Sequence, residues 1–493
     1  MNKPDLLDPA LNRMPQEVHH IHIMGVCGTG MAALAGMLKR EGYLITGSDN
    51  NVYPPMSDFL HSIGVRIMNG YGPCNLEPRP DLVIVGNVIR AVNPEAMALG
   101  EQAIPYLSMP QALSSFFLGD KKSLVVAGTH GKTTTSSMLA TVLNAMGADP
   151  GCMIGGFVEA FGGNFRLGGG KYFVIEGDEY DTAFFDKGSK FLHYRPFCAI
   201  LTSIEFDHAD IFSDLEVIKN SFKRFVSLIP PEGFLVACHD DPVVRDICGH
   251  AVCRVIYYGS GEGCDYRFGD LQLNGLRSVF KVTAPDSSVK QYCLAMPGKH
   301  NGLNATGVIA LLSALGFAGD EIREGLATFT GVRRRQQIRG ETGGVMVIDD
   351  FAHHPTAVRE TTAALRLAWP ERRLIIVFEP RTNSSRRAVF QERYAESFHG
   401  ADLVVVREHV FLADVERAEQ FSSEKLVSDL KNLGVSSCYF PDTDTILDFL
   451  TEETRTGDIV AVLSNGGFDD IHQRLLTRLE EKSRATLKRE VSE

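Results

Sequence analysis

The segment Gly128-Thr129-His130-Gly131-Lys132-Thr133-Thr134-Thr135 constrains this chain more than any other. An apolar run, residues 124–127, leads into it, and a helix-like run, residues 136–146, leads out. Strand, glycine turn, lysine, hydroxyls and helix is the layout of a phosphate-binding loop in an α/β domain. Glycine lets the backbone approach phosphate oxygens with amide hydrogens turned inward. Lys132 stands where a point charge reaches a terminal phosphate, and Thr133 where a hydroxyl holds Mg²⁺. The common loop opens with a glycine where this chain has Val126, so this version, G-T-x-G-K-T, is shorter. Residues 128–134 are expected to bind a nucleoside triphosphate.

At 493 residues the chain exceeds one core and suggests about three domains. Its net charge of −12 argues against broad nucleic-acid binding, which needs a basic surface. Any anionic ligand must then be held by local basic groups and helix N-termini. No apolar run approaches the ~20 residues of a membrane span, and the first residues lack the apolar stretch of a signal peptide. Ten cysteines without a Cys-x-x-Cys pair read as scattered reduced thiols and argue against a zinc site. The expectation is a cytoplasmic chain with no nucleic-acid or membrane partner, monomeric or weakly homo-oligomeric.

Pattern divides the chain into three α/β pieces. Residues 1–119 open with a strand at 19–24 and the glycines Gly25, Gly28 and Gly30, then a helix at 31–41 and a strand at 43–46 ending near Asp49. This βαβ unit resembles a dinucleotide fingerprint, giving a Rossmann-like domain. The spacing is G-x-x-G-x-G rather than G-x-G-x-x-G, which favours a generic diphosphate cradle over NAD. Residues 120–333 hold the phosphate loop and strands at 172–175 and 199–202, each ending in acidic residues. Ligands collect at the C-terminal ends of strands in open α/β sheets. Residues 334–493 alternate strands at 345–348, 374–378, 403–406 and 459–463 with helical stretches, a second Rossmann-like pattern.

Several clusters carry chemistry. Four carboxylates crowd residues 176–181 and repel one another unless a cation or solvent relieves them. Alone they read as a solvated turn; after a phosphate loop they read as a Mg²⁺ site, with Glu176 nearest its strand. Glu205, Asp207, His208 and Asp210 end the next strand and offer further ligands or substrate contacts. Asn301 and Asn304 share a helix face, where amides suit either an adenine edge or capping. Arg333, Arg334 and Arg335 match phosphate geometry or are solvated surface groups. Residues 349–355, with two aspartates and two histidines, are expected to face the nucleotide when domains close. Arg381, in the turn after Glu379, offers charge to an anionic substrate, and Ser464 and Asn465 form another binding turn.

Taken in order, these motifs resemble the Mur ligases of bacterial cell-wall synthesis: the N-terminal glycine turn, GTHGKTTT, the acidic turn at Glu176, the Asp207-His208 pair, GKHNGLNA at Gly298, the arginine run and DDFAHHPTA at Asp349. The resemblance spans essentially the whole chain. It implies a UDP-sugar domain, a central ATPase domain and a C-terminal domain for the amino substrate. It implies that Lys132, with Gly128, Thr129, His130, Gly131, Thr133 and Thr134, binds ATP phosphates. Thr133, Glu176 and His208 would ligate Mg²⁺. Asn301 and Asn304 would lie near adenine, and Arg335 and Asp350 near ribose or phosphate. Gly25, Gly28, Gly30 and Asp49 would hold UDP.

DDFAHHPTA and the glycine turn are similar to the branch acting on UDP-N-acetylmuramate itself. One member of that branch adds L-alanine; the other attaches the recycled tripeptide L-alanyl-γ-D-glutamyl-meso-diaminopimelate. The long segment EYDTAFFDKGSKFLHYRP from Glu179, EFDHADIF from Glu205, EPRTNS from Glu379 and SNGGF from Ser464 resemble the tripeptide enzyme. So does Phe206, where the alanine enzyme has proline. The expected reaction is ATP-dependent amide formation through an acyl phosphate. The alternatives are the L-alanine ligase and an ATP-driven binding protein.

Overall fold

Continuous apolar runs, the mark of strands buried on both faces, become parallel strands in the computed structural model, which describes residues 7–207, 211–212, 214–413 and 415–490. The chain sorts into two compact units. One comprises Met1–Ile204, Glu216–Asp265 and Gly307–Thr328; the other comprises Glu205–Leu215, Tyr266–Thr306 and Phe329–Glu493.

The first unit begins with a five-stranded parallel sheet ordered Arg66–Asn69, Leu44–Asp49, His20–Met24, Leu82–Val85 and Tyr106–Ser108. The order reverses at His20–Met24, so the crevice beyond its C-terminal end, at Gly25, is the expected ligand edge. Helix Thr29–Arg40 follows, with Gly28 at its N-cap and Met31 through Leu38 buried. Its Gly36 admits the Phe165 ring: a Cβ there would meet that ring at 2.6 Å.

A second sheet in the same unit is ordered Arg254–Gly259, Phe234–Cys238, Pro196–Leu201, Lys122–Ala127, Tyr172–Gly177, Gly151–Val158 and Gly163–Arg166. All pairs are parallel except the last. Helix Lys132–Ala145 crosses it and is buried from Thr133 to Leu143. The expected helix started at Ser136; the structure starts it at Lys132, so Lys132, Thr133 and Thr134 form its first turn. The segment after the acidic turn becomes a hairpin, Asp181–Ala183 with Asp186–Ser189. Phe184 and Phe185 between its strands pack on the N-terminal core, with the Phe185 and Tyr106 rings 4.8 Å apart.

The second unit contains three antiparallel strands, Tyr266–Asn274, Arg277–Thr283 and Val289–Leu294. Its other sheet is ordered Gln337–Thr342, Val345–Asp350, Ile459–Leu463, Leu374–Phe378, Leu403–Arg407 and Ser437–Phe440, parallel apart from the first pair. Alternate residues of these strands feed two separate apolar cores, one on each face. No helix among the described residues is long and apolar enough to cross a membrane.

Candidate functional site

The phosphate loop is built by contacts that fix its backbone. Gly128 has φ +131°, and a Cβ there would lie 2.2 Å from Thr202 Oγ1, so only glycine fits. The Thr129 N–H donates to Ser203 O at 2.8 Å and the His130 N–H to Ser203 Oγ at 3.0 Å. Thr202 Oγ1 donates to His130 O at 2.5 Å. The end of strand Pro196–Leu201 therefore clamps the loop. Gly131, at φ +81°, then turns the chain into helix Lys132–Ala145. A helix start presents amide N–H groups that lack partners one turn back, together with the positive end of the helix dipole.

Lys132 folds over this loop. Its Nζ donates to Gly128 O at 2.6 Å, to Glu179 Oε2 at 2.9 Å and to Thr129 O at 3.4 Å. Burial alone would lower the ammonium, but Glu179 and Asp178 outweigh it and hold Lys132 above its ordinary value. Thr133 Oγ1 donates to Glu176 Oε1 at 2.7 Å, and the Gly155 N–H donates to Glu176 Oε2 at 2.7 Å. The strand register that pairs Val126 with Glu176 sets this placement. Burial, and then the neighbouring Asp178 charge, push the Glu176 carboxyl up. Lysines pair with Glu179, Asp178 and Asp181, at 2.9, 3.4 and 2.7 Å, while Glu176 is met by a hydroxyl and an amide; hard oxygen donors of this kind on a helix start fit Mg²⁺. The structure thus brings Gly128, Thr129, His130, Gly131, Lys132, Thr133, Thr134 and Glu176 together. His208 lies outside the described residues.

Gly25, Gly28 and Asp49 meet in one turn, where the Gly28 N–H donates to Gly25 O at 3.2 Å, and Gly30 lies in the first turn of helix Thr29–Arg40, where a Cβ would meet Met109 and Met153. Gly25, at φ +79°, donates its N–H to Ser48 O at 2.8 Å. Asp49 accepts the Cys27 N–H at 2.9 Å through Oδ2 and the Asn51 N–H at 2.9 Å through Oδ1. Asp49 therefore shapes the turn itself. Burial, then Asp49, push the Cys27 thiol up to about 11.

Residues outside the sequence motifs complete this edge. A Cβ on Gly25 would lie 3.9 Å from the Tyr71 hydroxyl, whose pKa is pushed up to about 12 by burial and then by Asp49. Below it, Glu95 accepts from His22 Nε2 at 2.8 Å, Ser48 Oγ at 2.6 Å, Asn75 Nδ2 at 2.6 Å and the Gly72 N–H at 3.1 Å. The repeated glycines around Tyr71 were a usable hint; a buried glutamate in a helix's first turn gives none.

In the second unit, Asn301 Nδ2 donates to Pro297 O at 2.8 Å and Gln336 Oε1 at 3.0 Å. The Gln336 N–H donates to Asp350 Oδ2 at 2.7 Å, and the Ala352 N–H to Asp350 Oδ1 at 2.8 Å. Burial pushes the Asp350 carboxyl up, against the opposing charge of Arg335. Arg335 lies over the Phe351 ring, 4.8 Å from its centroid. Asn304 is buried. Arg334 donates to Ser464 O at 2.7 Å and Gly466 O at 2.6 Å, tying the arginine run to the turn at 464–467. There Ser464 Oγ donates to Glu379 Oε2, Arg407 pairs with Glu379 Oε1 at 2.7 Å, and Arg381 lies 3.7 Å from the same oxygen. Asn465 Oδ1 is buried without a partner among the described residues. Glu205 accepts from Thr356 Oγ1 at 2.8 Å and Arg393 at 3.1 Å.

Three family models match the chain in order: "Mur ligase family, catalytic domain" over residues 20–120, "Mur ligase middle domain" over 126–312 and "Mur ligase, glutamate ligase domain" over 334–466. The UDP-N-acetylmuramate–L-alanyl-γ-D-glutamyl-meso-2,6-diaminoheptandioate ligase of Escherichia coli (strain K12) is 40% identical, over 94% of this chain and 99% of the relative. The UDP-N-acetylmuramate–L-alanine ligase of Geotalea daltonii is 34% identical, over 94% of this chain and 99% of the relative. The crystal structure of a murein peptide ligase from Psychrobacter arcticus superposes with a TM-score of 0.70 at 34% identity, covering 94% of this chain and 99% of that one.

Proposed function

The chain belongs to the Mur ligase family, and from that premise we propose that it joins UDP-N-acetylmuramate to the tripeptide L-alanyl-γ-D-glutamyl-meso-diaminopimelate at the expense of ATP. The tripeptide is preferred to L-alanine because identity to the tripeptide ligase is the higher of the two. The observation that carries the ATP chemistry is the Thr133–Glu176 contact beside Lys132 on a glycine loop at a helix start.

Residues 1–119 would bind the UDP sugar through Gly25, Gly28, Gly30 and Asp49. Residues 120–333 would bind ATP, and residues 334–493 the peptide, through Arg381, Ser464 and Asn465. Asn301 and Asn304 would contact adenine, and Arg335 and Asp350 ribose or phosphate. The setting would be the cytoplasm, in peptidoglycan recycling.

Thr133 and Glu176 would hold Mg²⁺, with His208 as the expected third ligand. The ion would neutralise charge on the triphosphate oxygens. A muramyl carboxylate is a poor electrophile, and accepting the γ-phosphoryl group makes it an acyl phosphate with a good leaving group. Lys132 would place its charge at the terminal phosphoryl group, with Glu179 keeping it an ammonium. The amides opening helix Lys132–Ala145 would orient the phosphates for in-line transfer. The peptide amine then attacks the acyl carbon, and phosphate leaves.

ADP release with UDP-N-acetylmuramate, comparing tripeptide and L-alanine as acceptors, tests this reading. Release with tripeptide, accompanied by the conjugate, is expected. Turnover with L-alanine alone would reassign the acceptor, and acceptor-independent ATPase activity would point to an ATP-driven binding protein.

A further inference from the structure

We propose that Gln336 is a positioning residue that sets the nucleobase and ribose contacts and makes the site select adenine; this rests on the assignment of Asn301 and Asp350 to the nucleotide.

Gln336 joins two chain segments that the fold brings together. Its side chain reaches Asn301 near the start of helix Lys299–Ala314, and its main-chain N–H reaches Asp350 at the end of strand Val345–Asp350. It is 4% exposed, beside Asn301 at 2% and Asp350 at 4%. It also sits at φ +51°, and Arg334, two residues earlier, at φ +61°. Left-handed backbone at non-glycine residues persists only where the surroundings hold it, and such strain gathers at ligand sites. The alternation of backbone conformation brackets Arg335.

Hydrogen-bond polarity then fixes what Asn301 can offer. The Pro297 carbonyl only accepts, so the amide nitrogen of Asn301 faces it. The second amide hydrogen meets Gln336 Oε1. Both donors of Asn301 are consumed, and its Oδ1 is the one group left for a ligand. Adenine carries a donor amino group at the ring position where guanine carries an acceptor oxygen. An Asn301 locked as an acceptor suits the first and opposes the second. Gln336 turns its own Nε2 the other way, where it is buried without a partner among the described residues. Such an uncompensated group calls for a reason beyond stability.

Gln336→Met removes both amide functions at similar length. Gln336→Gly tolerates the left-handed backbone and keeps the N–H to Asp350, so it isolates the side chain without strain. Gln336→Glu retains an acceptor for Asn301. Steady-state kinetics with ATP and GTP, and calorimetric binding of Mg·ADP, read the effect. The Met and Gly variants should raise KM for ATP and Kd for ADP by about three- to tenfold, the worth of one lost hydrogen bond. The change should fall on KM rather than kcat. The preference for ATP over GTP should drop by about tenfold, and the Glu variant should recover most of it. Unaltered ADP affinity and ATP preference in both the Met and Gly variants would overturn the inference. Asn301→Ala separates the two levels. If it weakens ADP binding while the Gln336 variants do not, only the role of Gln336 falls; if it leaves ADP binding intact, the nucleotide assignment falls as well.

Discussion

Thr133 donates its hydroxyl hydrogen to Glu176 Oε1 over 2.7 Å, joining the first turn of a helix to the end of the neighbouring strand. A hydroxyl and a carboxylate that already touch can close on one small cation with little rearrangement. Glu176→Gln keeps the shape and removes the charge. The Mg²⁺ concentration for half-maximal turnover should rise at least about tenfold. An unmoved magnesium titration would take Glu176 out of the site.

Lys132 is held over the loop by Gly128 O and Glu179. Lys132→Ala should lower kcat by about two to three orders of magnitude, the usual cost of deleting one group that meets transition-state charge. Circular dichroism should show the variant folded. Near-normal turnover in a folded variant would contradict the loop assignment.

Gly128 combines φ +131° with a Cβ position 2.2 Å from Thr202 Oγ1. Gly128→Ala must move the loop off Ser203 or distort its backbone. A stability loss of about 1–3 kcal/mol is expected, with a raised KM for ATP. Thermal melting and nucleotide kinetics check both.

These assignments differ in how far the sequence reveals them. Continuous apolar runs betray strands such as Leu374–Phe378 because both faces are buried. The loop is visible because glycine, lysine and threonine each meet a distinct local need. Strands Tyr266–Asn274 and Arg277–Thr283 are buried on one face at most, so they lack the continuous apolar run that marks the strands buried on both. The clamp of Ser203 on Thr129, or of Gln336 on Asn301, joins positions far apart in the chain, and no periodicity encodes such pairs. Asp49 was legible as a residue at the glycine turn, but not its use in holding the Cys27 and Asn51 amides.

Glu95 and His22 form a fully buried pair at 2.8 Å. Burial alone would raise the Glu95 carboxyl, but His22 and the Ser48 and Asn75 hydrogen bonds hold it below its ordinary 4.5. A lowered carboxylate pKa stabilises the fold above its unfolded value, and that stability is lost as pH falls through the folded value. Glu95→Gln should cost about 3 kcal/mol near neutrality. The gap to the parent chain should narrow as pH drops below 4.5. Urea unfolding across that range measures it; a gap independent of pH would contradict the charged state of Glu95.

The proposed reaction turns on handing the γ-phosphoryl group of ATP to the sugar-borne carboxylate. The most direct measurement uses UDP-N-acetylmuramate with both carboxylate oxygens replaced by oxygen-18, turned over with tripeptide and ATP. Mass spectrometry of the products should find one labelled oxygen in the released phosphate and the other in the new amide. Unlabelled phosphate alongside a conjugate that has lost a label to water would contradict an acyl phosphate and the mechanism built on it.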